Sequence, residues 1–168
     1  MPVRIQARIQ DDGADTQLAR LATRLIDRQP AMDEIGGELQ ASTFQRFRDQ
    51  RGPDGQAWEP LSFATWLGRA GRKAKKKDGT FRKAAVRRLN GAKILRDTGE
   101  LFNSINFEAT PSRISVGTNK KYARIQQLGG EAGRRDSRVT IPARPFLGIS
   151  EDDQRTVAEI LSAHLGGR

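Results

Sequence analysis

Few residues in this chain have the types and spacing that acid–base, nucleophilic or metal chemistry requires. The 168 residues include no cysteine and a single histidine, His164. This excludes thiolate catalysis, iron–sulfur clusters and any site that needs two histidines. Ser104 and Ser150 have no histidine in their local sequence that would activate them as nucleophiles. We therefore expect no enzyme activity and no cofactor, and a structural role for His164.

Two groups of acidic residues come closest to a metal site. Asp54 and Glu59 resemble part of a metal-nuclease signature, but Leu61 stands where that signature needs a lysine. The acidic run 151–153 follows Ser150 at the predicted start of the last helix, where carboxylates complement the positive end of the helix dipole. Helix capping explains this run more simply than cation binding does, so we expect no bound metal.

The clearest chemical signal is a block of positive charge at residues 68–96, here called the basic segment. It contains twelve Lys or Arg and one acid, a net charge of +11, whereas the rest of the chain sums to −1. Such a block predicts salt-dependent, sequence-independent contact with nucleic acid phosphates, with a solvated surface loop as the alternative. The candidate residues are Arg72, Lys73, Lys75, Lys76, Lys77, Arg82, Lys83, Arg87 and Arg88. Because like charges repel and glycines flank the short helix predicted at 80–90, we expect a mobile arm.

The remaining composition indicates one globular domain, 1–168, with the basic segment as its arm. Hydrophobic residues make up 36% of the chain, enough for one small core. The longest stretch without a charge is nine residues, 60–68, too short to cross a membrane. The N-terminus has no apolar signal-peptide core. We therefore expect a soluble protein made in a reducing cytoplasm.

Hydrophobic periodicity predicts an α+β domain with several helices around a small antiparallel or mixed sheet. Helices are expected at 15–27, capped by Asp15, at 31–50 after Pro30, at 121–128 ending at Gly129-Gly130, and from Ser150 onward. Strands are expected at 3–9, 104–108, 113–117 and 139–141, and a mobile polar loop at 131–138.

Two further features concern packing. The aromatic patch of Trp58, Leu61, Phe63 and Trp66 predicts a satellite core under a loop, with an interface anchor as the alternative. Pro142 and Pro145 stiffen an extended strap that presents Phe146. The Gly36-Gly37 pair weakens the second helix or allows another part of the chain to approach it closely.

Three stretches of the second half together carry a family resemblance. They are KILRDTGELFNSI at 93–105, VGTNKKYARIQQLGG at 116–130 and IPARPFLG at 141–148, preceded by GPDGQAWEPL at 52–61. In order and spacing they resemble the phage virion morphogenesis, or tail-completion, family of Mu-like and related tailed phages, over roughly residues 44–165. Gln127 and Leu128 depart from the pattern, because relatives often have a histidine and an aromatic residue there.

The resemblance implies a structural protein of the virion neck or tail that is added late in tail assembly in the host cytoplasm. It also implies a homo-oligomeric ring, of six subunits by analogy, around the DNA path, with tail tube, terminator, connector or neck proteins as partners and no membrane. The alternative function is a sequence-independent nucleic-acid-binding module, and a metal nuclease is a distant third. The candidate assembly or packing residues are Trp58, Thr98, Gly99, Leu101, Tyr122, Gly129, Gly130, Pro142, Arg144, Pro145 and Phe146.

Overall fold

The computed structural model describes residues 13–71, 73–134 and 136–166. Within these ranges the chain forms seven helices and four strands, which confirms the α+β class; the strand predicted at 3–9 lies outside them. The elements in chain order are α1 (Ala14–Ile26), α2 (Gln29–Asp49), α3 (Phe63–Arg69), α4 (Lys83–Asn90), α5 (Glu100–Asn103), β1 (Asn106–Thr110), β2 (Arg113–Gly117), α6 (Ala123–Leu128), β3 (Gly130–Arg134), β4 (Ser137–Ile141) and α7 (Glu151–Gly166).

Helix α2 is the centre of the fold, because both the β1–β2 hairpin and α7 pack against it. A small cluster of Ala31, Ile35 and Ile160 is buried between α2 and α7. A Cβ at Gly36 would clash with the ring of Phe107 on β1. The close approach predicted from the glycine pair therefore exists, and it is made by a side chain of the hairpin.

The largest buried cluster, here called the aromatic core, lies where the C-terminal end of α2 meets the strap. Its buried members are Phe47, Trp58, Leu101, Ile105, Ala123 and Phe146. Phe47 is its centre, with the ring centroids of Trp58 and Phe146 at 5.4 and 5.3 Å. These tilted and edge-on contacts are the geometries that aromatic rings favour.

The four strands form two separate antiparallel hairpins and no mixed sheet. In the first, Asn106 pairs with Gly117 and Thr110 with Arg113, so β1 begins two residues later than predicted. The second spans Gly130 to Ile141. The loop predicted at 131–138 is therefore wrong: backbone pairing extends the predicted strand 139–141 into a full hairpin, although Glu131, Arg134 and Arg138 are exposed.

The basic segment contributes its own small cluster, here called the alanine core. It buries Ala70, Ala74, Ala85 and Leu89, with Trp66 and Phe81 packed against it. Helix α4 begins at Lys83, three residues later than predicted, and ends before Gly91. The structure thus gives this segment a defined packing; how mobile it is in solution stays a prediction.

The aromatic patch does not form one satellite core, which corrects the sequence-based expectation. Trp58 belongs to the aromatic core, whereas Trp66 packs on the alanine core. The Ser62 hydroxyl accepts a hydrogen bond from the Thr65 N–H and caps α3, and Phe63 in the first turn is 73% exposed. The start of α3 therefore separates neighbours in sequence into two different environments.

Helix α1 contacts the body of the protein mainly through α7. It follows Gly13 in a left-handed conformation, so Asp15 lies in the first turn and not at the cap as predicted. A ring nitrogen of His164 lies 3.0 Å from the carbonyl oxygen of Arg24, which joins the two helices. Leu18 and Leu25 remain exposed.

Candidate assembly and nucleic-acid interface

The strap at 142–150 has no helical or strand structure, and side chains from other segments hold it. The indole Nε1 of Trp58 donates to the carbonyl oxygen of Pro145 at 2.8 Å. Arg144 reaches in the opposite direction, donating to the carbonyl oxygens of Glu59 at 2.8 Å and Pro60 at 3.0 Å. These bonds join residues 84 to 87 positions apart and thus tie two of the family-like stretches together.

Gln127 makes the most extensive contact with the strap. Its side-chain oxygen accepts hydrogen bonds from the N–H groups of Phe146 and Leu147, each at 3.0 Å. Its side-chain nitrogen donates to the carbonyl oxygen of Leu147 at 2.8 Å. Gln127 was not among the predicted residues. Its position two residues before the Gly129-Gly130 helix end is the only sequence signal for this role.

A glycine brings α6 close enough to the strap for these contacts. Gly129 has φ 72°, and a Cβ there would lie 2.8 Å from the backbone nitrogen of Ala143. A side chain is therefore excluded both by conformation and by space. Gly130 follows as the first residue of β3, so the predicted helix end at this pair is confirmed.

A cavity of about 620 Å³ opens beside the strap. Six of the predicted packing residues line it: Thr98, Gly99, Leu101, Tyr122, Pro142 and Arg144. The Thr98 hydroxyl accepts from the Glu100 N–H at 3.3 Å, and Gly99 takes a left-handed conformation before α5. Tyr122 is exposed at this cavity, while Leu101 belongs to the aromatic core.

Burial affects the charge of Arg144 in this region. The side chain is only 6% exposed, and burial lowers its pKa, opposed by nearby Glu59 and reinforced by the positive charge of Arg69. The guanidinium nevertheless stays ionised, because arginine is effectively always protonated in proteins. Arg144 is therefore a buried cation that binds the carbonyl oxygens of Glu59 and Pro60.

A buried ion pair that sequence reasoning missed fixes α7 against α2. Arg46 pairs with Asp153, and both side chains are almost fully buried. Arg46 also donates to the carbonyl oxygen of Gly148 at 2.7 Å. Asp153 and Ser150 form a reciprocal cap, in which each side chain accepts the backbone N–H of the other. The predicted capping by Ser150 is confirmed. Asp153, the third acid of the run 151–153, both caps α7 and pairs with Arg46.

The charge of Asp153 reflects these contacts. Burial alone would raise its pKa, but hydrogen bonds from Ser150 and Ser42 and the charge of Arg46 together hold the pKa below its usual range. Burial lowers the pKa of Arg46, and Asp153 opposes that shift. Both groups are therefore charged at neutral pH.

The basic segment presents most of its candidate residues on the surface. An isolated bridge between Lys75 and Phe81 closes a tight loop, in which Asp78 accepts from both the N–H and the hydroxyl of Thr80. These bonds lower the pKa of Asp78. Asp78, the only acid in the segment, therefore bonds within its own loop. Lys73, Lys75, Lys76 and Lys77 are exposed around it.

The other candidates lie on or beside α4. Arg82, Lys83, Arg87 and Arg88 are all exposed, and Arg72 lies outside the described residues. The Lys75 ammonium sits 5.5 Å from the centre of the Phe81 ring. The segment therefore displays a solvent-facing array of cations over a small apolar support. Whether that array meets DNA stays a prediction.

Two further properties concern the residues that the structure describes. No cluster of three or more His, Asp or Glu side chains among them is arranged to hold a metal ion. None of their helices is long and apolar enough to span a bilayer.

Residues 9–166 match the model of the phage virion morphogenesis family. The chain is 34% identical over 142 residues to the Mu-like prophage FluMu G protein 2 of Haemophilus influenzae, covering 84% of this chain and 81% of that protein. It is 28% identical to Tail completion protein S of Escherichia phage P2, covering 79% and 80% of the two chains. It is 27% identical to Putative capsid assembly protein G of Escherichia phage Mu, covering 79% and 85%. No solved structure matches it.

Proposed function

Because the chain belongs to the phage virion morphogenesis family, we propose that it is a structural subunit that completes the phage tail and performs no catalysis. One observation carries this proposal. The polar side chains of the family-like stretches, in Trp58, Gln127 and Arg144, are used to hold backbone atoms of the strap and its neighbours. Groups used in this way define a shape, which is what an assembly part requires.

The finer proposal is a ring of subunits at the head–tail junction, around the path of the DNA. Exposed apolar side chains support a subunit contact at the side of the strap cavity, because Tyr122 and Val139 line it and remain in solvent. The basic segment supports a channel-facing surface, since its net charge of +11 belongs to one part of the chain. Connector, neck and tail proteins are then the partners.

The test is deletion of the gene in a phage or prophage that carries it, followed by electron microscopy and complementation. We expect heads and tails to form but remain unjoined, and wild-type protein to restore joining. Val139→Glu, which places a charge on an exposed residue lining the cavity, should fail to complement and should lose the ring in native mass spectrometry. Ile149→Glu, a charge placed on an equally exposed apolar residue outside the cavity, is the control and should complement. Joined virions without the protein would contradict the proposal.

A second candidate function is a nucleic-acid-binding module, favoured by the surface array of Lys and Arg in the basic segment. Unlike a tail-completion ring, such a module does not need to form a ring in order to act. A module would bind duplex DNA as a monomer or dimer, and its deletion would leave tail joining intact. A tail-completion ring would bind DNA, if at all, as a consequence of assembly.

A further inference from the structure

A second cavity, of about 460 Å³, lies at the edge of the basic segment. Three arginines from three separate stretches line it: Arg69 at the end of α3, Arg88 on α4, and Arg96 in the turn that follows α4. The only acid in its wall is Asp97. The lining therefore carries a net charge of +2 in a concave site. Of the three arginines, only Arg88 is among the predicted DNA contacts.

Arg69 is held in place at this site. Its side chain is 12% exposed, and it donates a hydrogen bond to the carbonyl oxygen of Lys93 at 2.6 Å. Its only ion pair among the described residues is with Asp97, at 3.6 Å, and the Asp97 side chain is 68% exposed. A nearly buried guanidinium with one long, solvated partner is under-compensated, which favours an anion in the adjoining cavity.

Arg96 is positioned by a strained turn. Its guanidinium carbon lies 4.3 Å from the centre of the Phe102 ring, which supports one face of the group. Leu95, directly before it, has φ 57°, a left-handed conformation that a leucine rarely adopts. Such strain persists only where surrounding structure enforces it, and it is often found at binding sites. Arg96 makes no ion pair with any described residue.

Arg88 completes the site from α4. A Cβ at Gly71 would lie 3.4 Å from a terminal nitrogen of Arg88, so this side chain turns back toward the end of α3. Gly71 has φ 87°. The three guanidinium groups thus approach one cavity from a buried, a stacked and an exposed position.

We infer that this cavity is a phosphate-binding pocket, and that its ligand is a phosphate of the nucleic acid backbone. Guanidinium groups match the oxygens of a phosphate in a bidentate geometry. A single phosphodiester would offset part of the excess charge, while the neighbouring phosphates of the same strand would meet the rest of the basic segment. That continuity favours a nucleic acid over an acidic protein surface. The inference rests on the proposed DNA-facing role and adds a specific contact point to it.

The test uses the full-length protein and a fluorescent 20-base-pair duplex, with anisotropy measured at several salt concentrations. Arg88→Gln and Arg96→Gln should each weaken binding about tenfold and reduce the log–log salt slope by about 0.9, the value for one lost phosphate contact. Arg113→Gln removes the same charge outside the basic segment and should leave the slope unchanged. Melting temperatures identify any loss of folding, and Arg88→Gln, which removes an exposed side chain, keeps the test valid if Arg96→Gln unfolds.

The contrary outcomes separate this inference from the broader proposal. If Lys76→Gln weakens DNA binding while both pocket variants behave like Arg113→Gln, the pocket inference alone is overturned. If the wild type binds no duplex at low salt, in the isolated or the assembled form, the DNA-facing role is overturned with it. A poly-glutamate peptide is the competing probe. If it binds more tightly than the duplex and depends equally on Arg88 and Arg96, the pocket takes protein carboxylates and the inference is wrong.

Discussion

The aromatic core and the alanine core pack the same chain with different kinds of side chain. The aromatic core buries Phe47 and Phe146 completely and is crossed by hydrogen bonds from Trp58 and Arg46 to the strap. The alanine core buries mostly methyl groups, with one leucine. Burial of a large apolar side chain stabilises by about 1.5–3 kcal/mol, and burial of a methyl group by much less. The basic segment therefore has weak support while carrying a net charge of +11.

This difference separates two requirements of an assembly protein. The aromatic core fixes a permanent shape around the strap. The basic segment carries its charge over a small cluster, and we predict that this support is weakly held and adjusts to a polyanion. The predictions below test that contrast, beginning with the largest expected effect.

Phe146→Ala should lower the free energy of unfolding by about 3–5 kcal/mol, because it leaves a cavity at a fully buried site. Urea denaturation followed by circular dichroism measures the change. Leu128→Ala, which truncates an exposed residue, is the control and should change stability by less than about 0.5 kcal/mol. An unchanged midpoint for Phe146→Ala would show that the strap is not anchored through this ring.

Asp153→Asn should cost about 3 kcal/mol, because it leaves Arg46 buried without its counter-ion. Asp152→Asn, at an exposed ion pair on the same helix turn, should cost less than about 1 kcal/mol. Equal effects of the two substitutions in urea denaturation would contradict the assignment of the buried pair.

The same pair predicts how stability depends on pH. The native pKa of Asp153 is lowered, so the unfolded chain takes up this proton first as the pH falls. The stability that this carboxylate contributes is complete above the pKa of about 3.9 in the unfolded chain. It is lost as the pH falls through the lower pKa of the native state. Unfolding midpoints between pH 7 and pH 3 should therefore fall more steeply for wild type than for Asp153→Asn. Parallel curves would contradict the shift.

Leu89→Ala should cost about 2 kcal/mol or more, but only within the alanine core. Hydrogen exchange should show faster exchange in α4 than in α2 already in the wild type, and loss of α4 protection in the variant with α2 unchanged. Protection across residues 73–88 as strong as in α2, or a global loss of protection in the variant, would show that the two cores are one cooperative unit.

Phe63→Ser should leave stability within about 0.5 kcal/mol, since the ring is 73% exposed. Trp66→Ser, three residues later, should destabilise the alanine core against which the indole packs. Thermal melts followed by α4 exchange distinguish the two. A large effect of Phe63→Ser would show that the stacking of its ring on Trp66, at 6.0 Å between centroids, stabilises the isolated protein.

The sequence predicted those features of the fold that depend on neighbouring residues. The Ser150 cap, the Gly129-Gly130 helix end and the strand 113–117 each depend on residues within a few positions. The aromatic patch was misassigned because the start of α3 decides which rings point inward. The β3–β4 hairpin was missed because its pairing is carried by backbone groups and not by an apolar face.

Long-range contacts explain the rest of what the sequence did not reveal. Arg46 and Asp153 are separated by 107 positions, and no periodicity indicates that one will neutralise the other. Glutamine is an ordinary residue type for a helix surface, and only the fold places Gln127 beside the strap. The pocket arginines, Arg69, Arg88 and Arg96, are separated along the predicted arm, and only the fold brings them to one cavity. The family resemblance is confirmed because it uses order and spacing over the whole second half.

The amide of Gln127 stands in for a neighbouring strand. One side chain accepts from two successive N–H groups and donates to one carbonyl of the strap, which is the bonding that a paired backbone would otherwise supply. The conformation of the strap therefore depends on the identity of this one side chain, and a change in either requires a matching change in the other. A histidine at 127 has one donor and one acceptor nitrogen when neutral and cannot reproduce all three bonds, so a strap exchanged between relatives must travel with its own residue at that position.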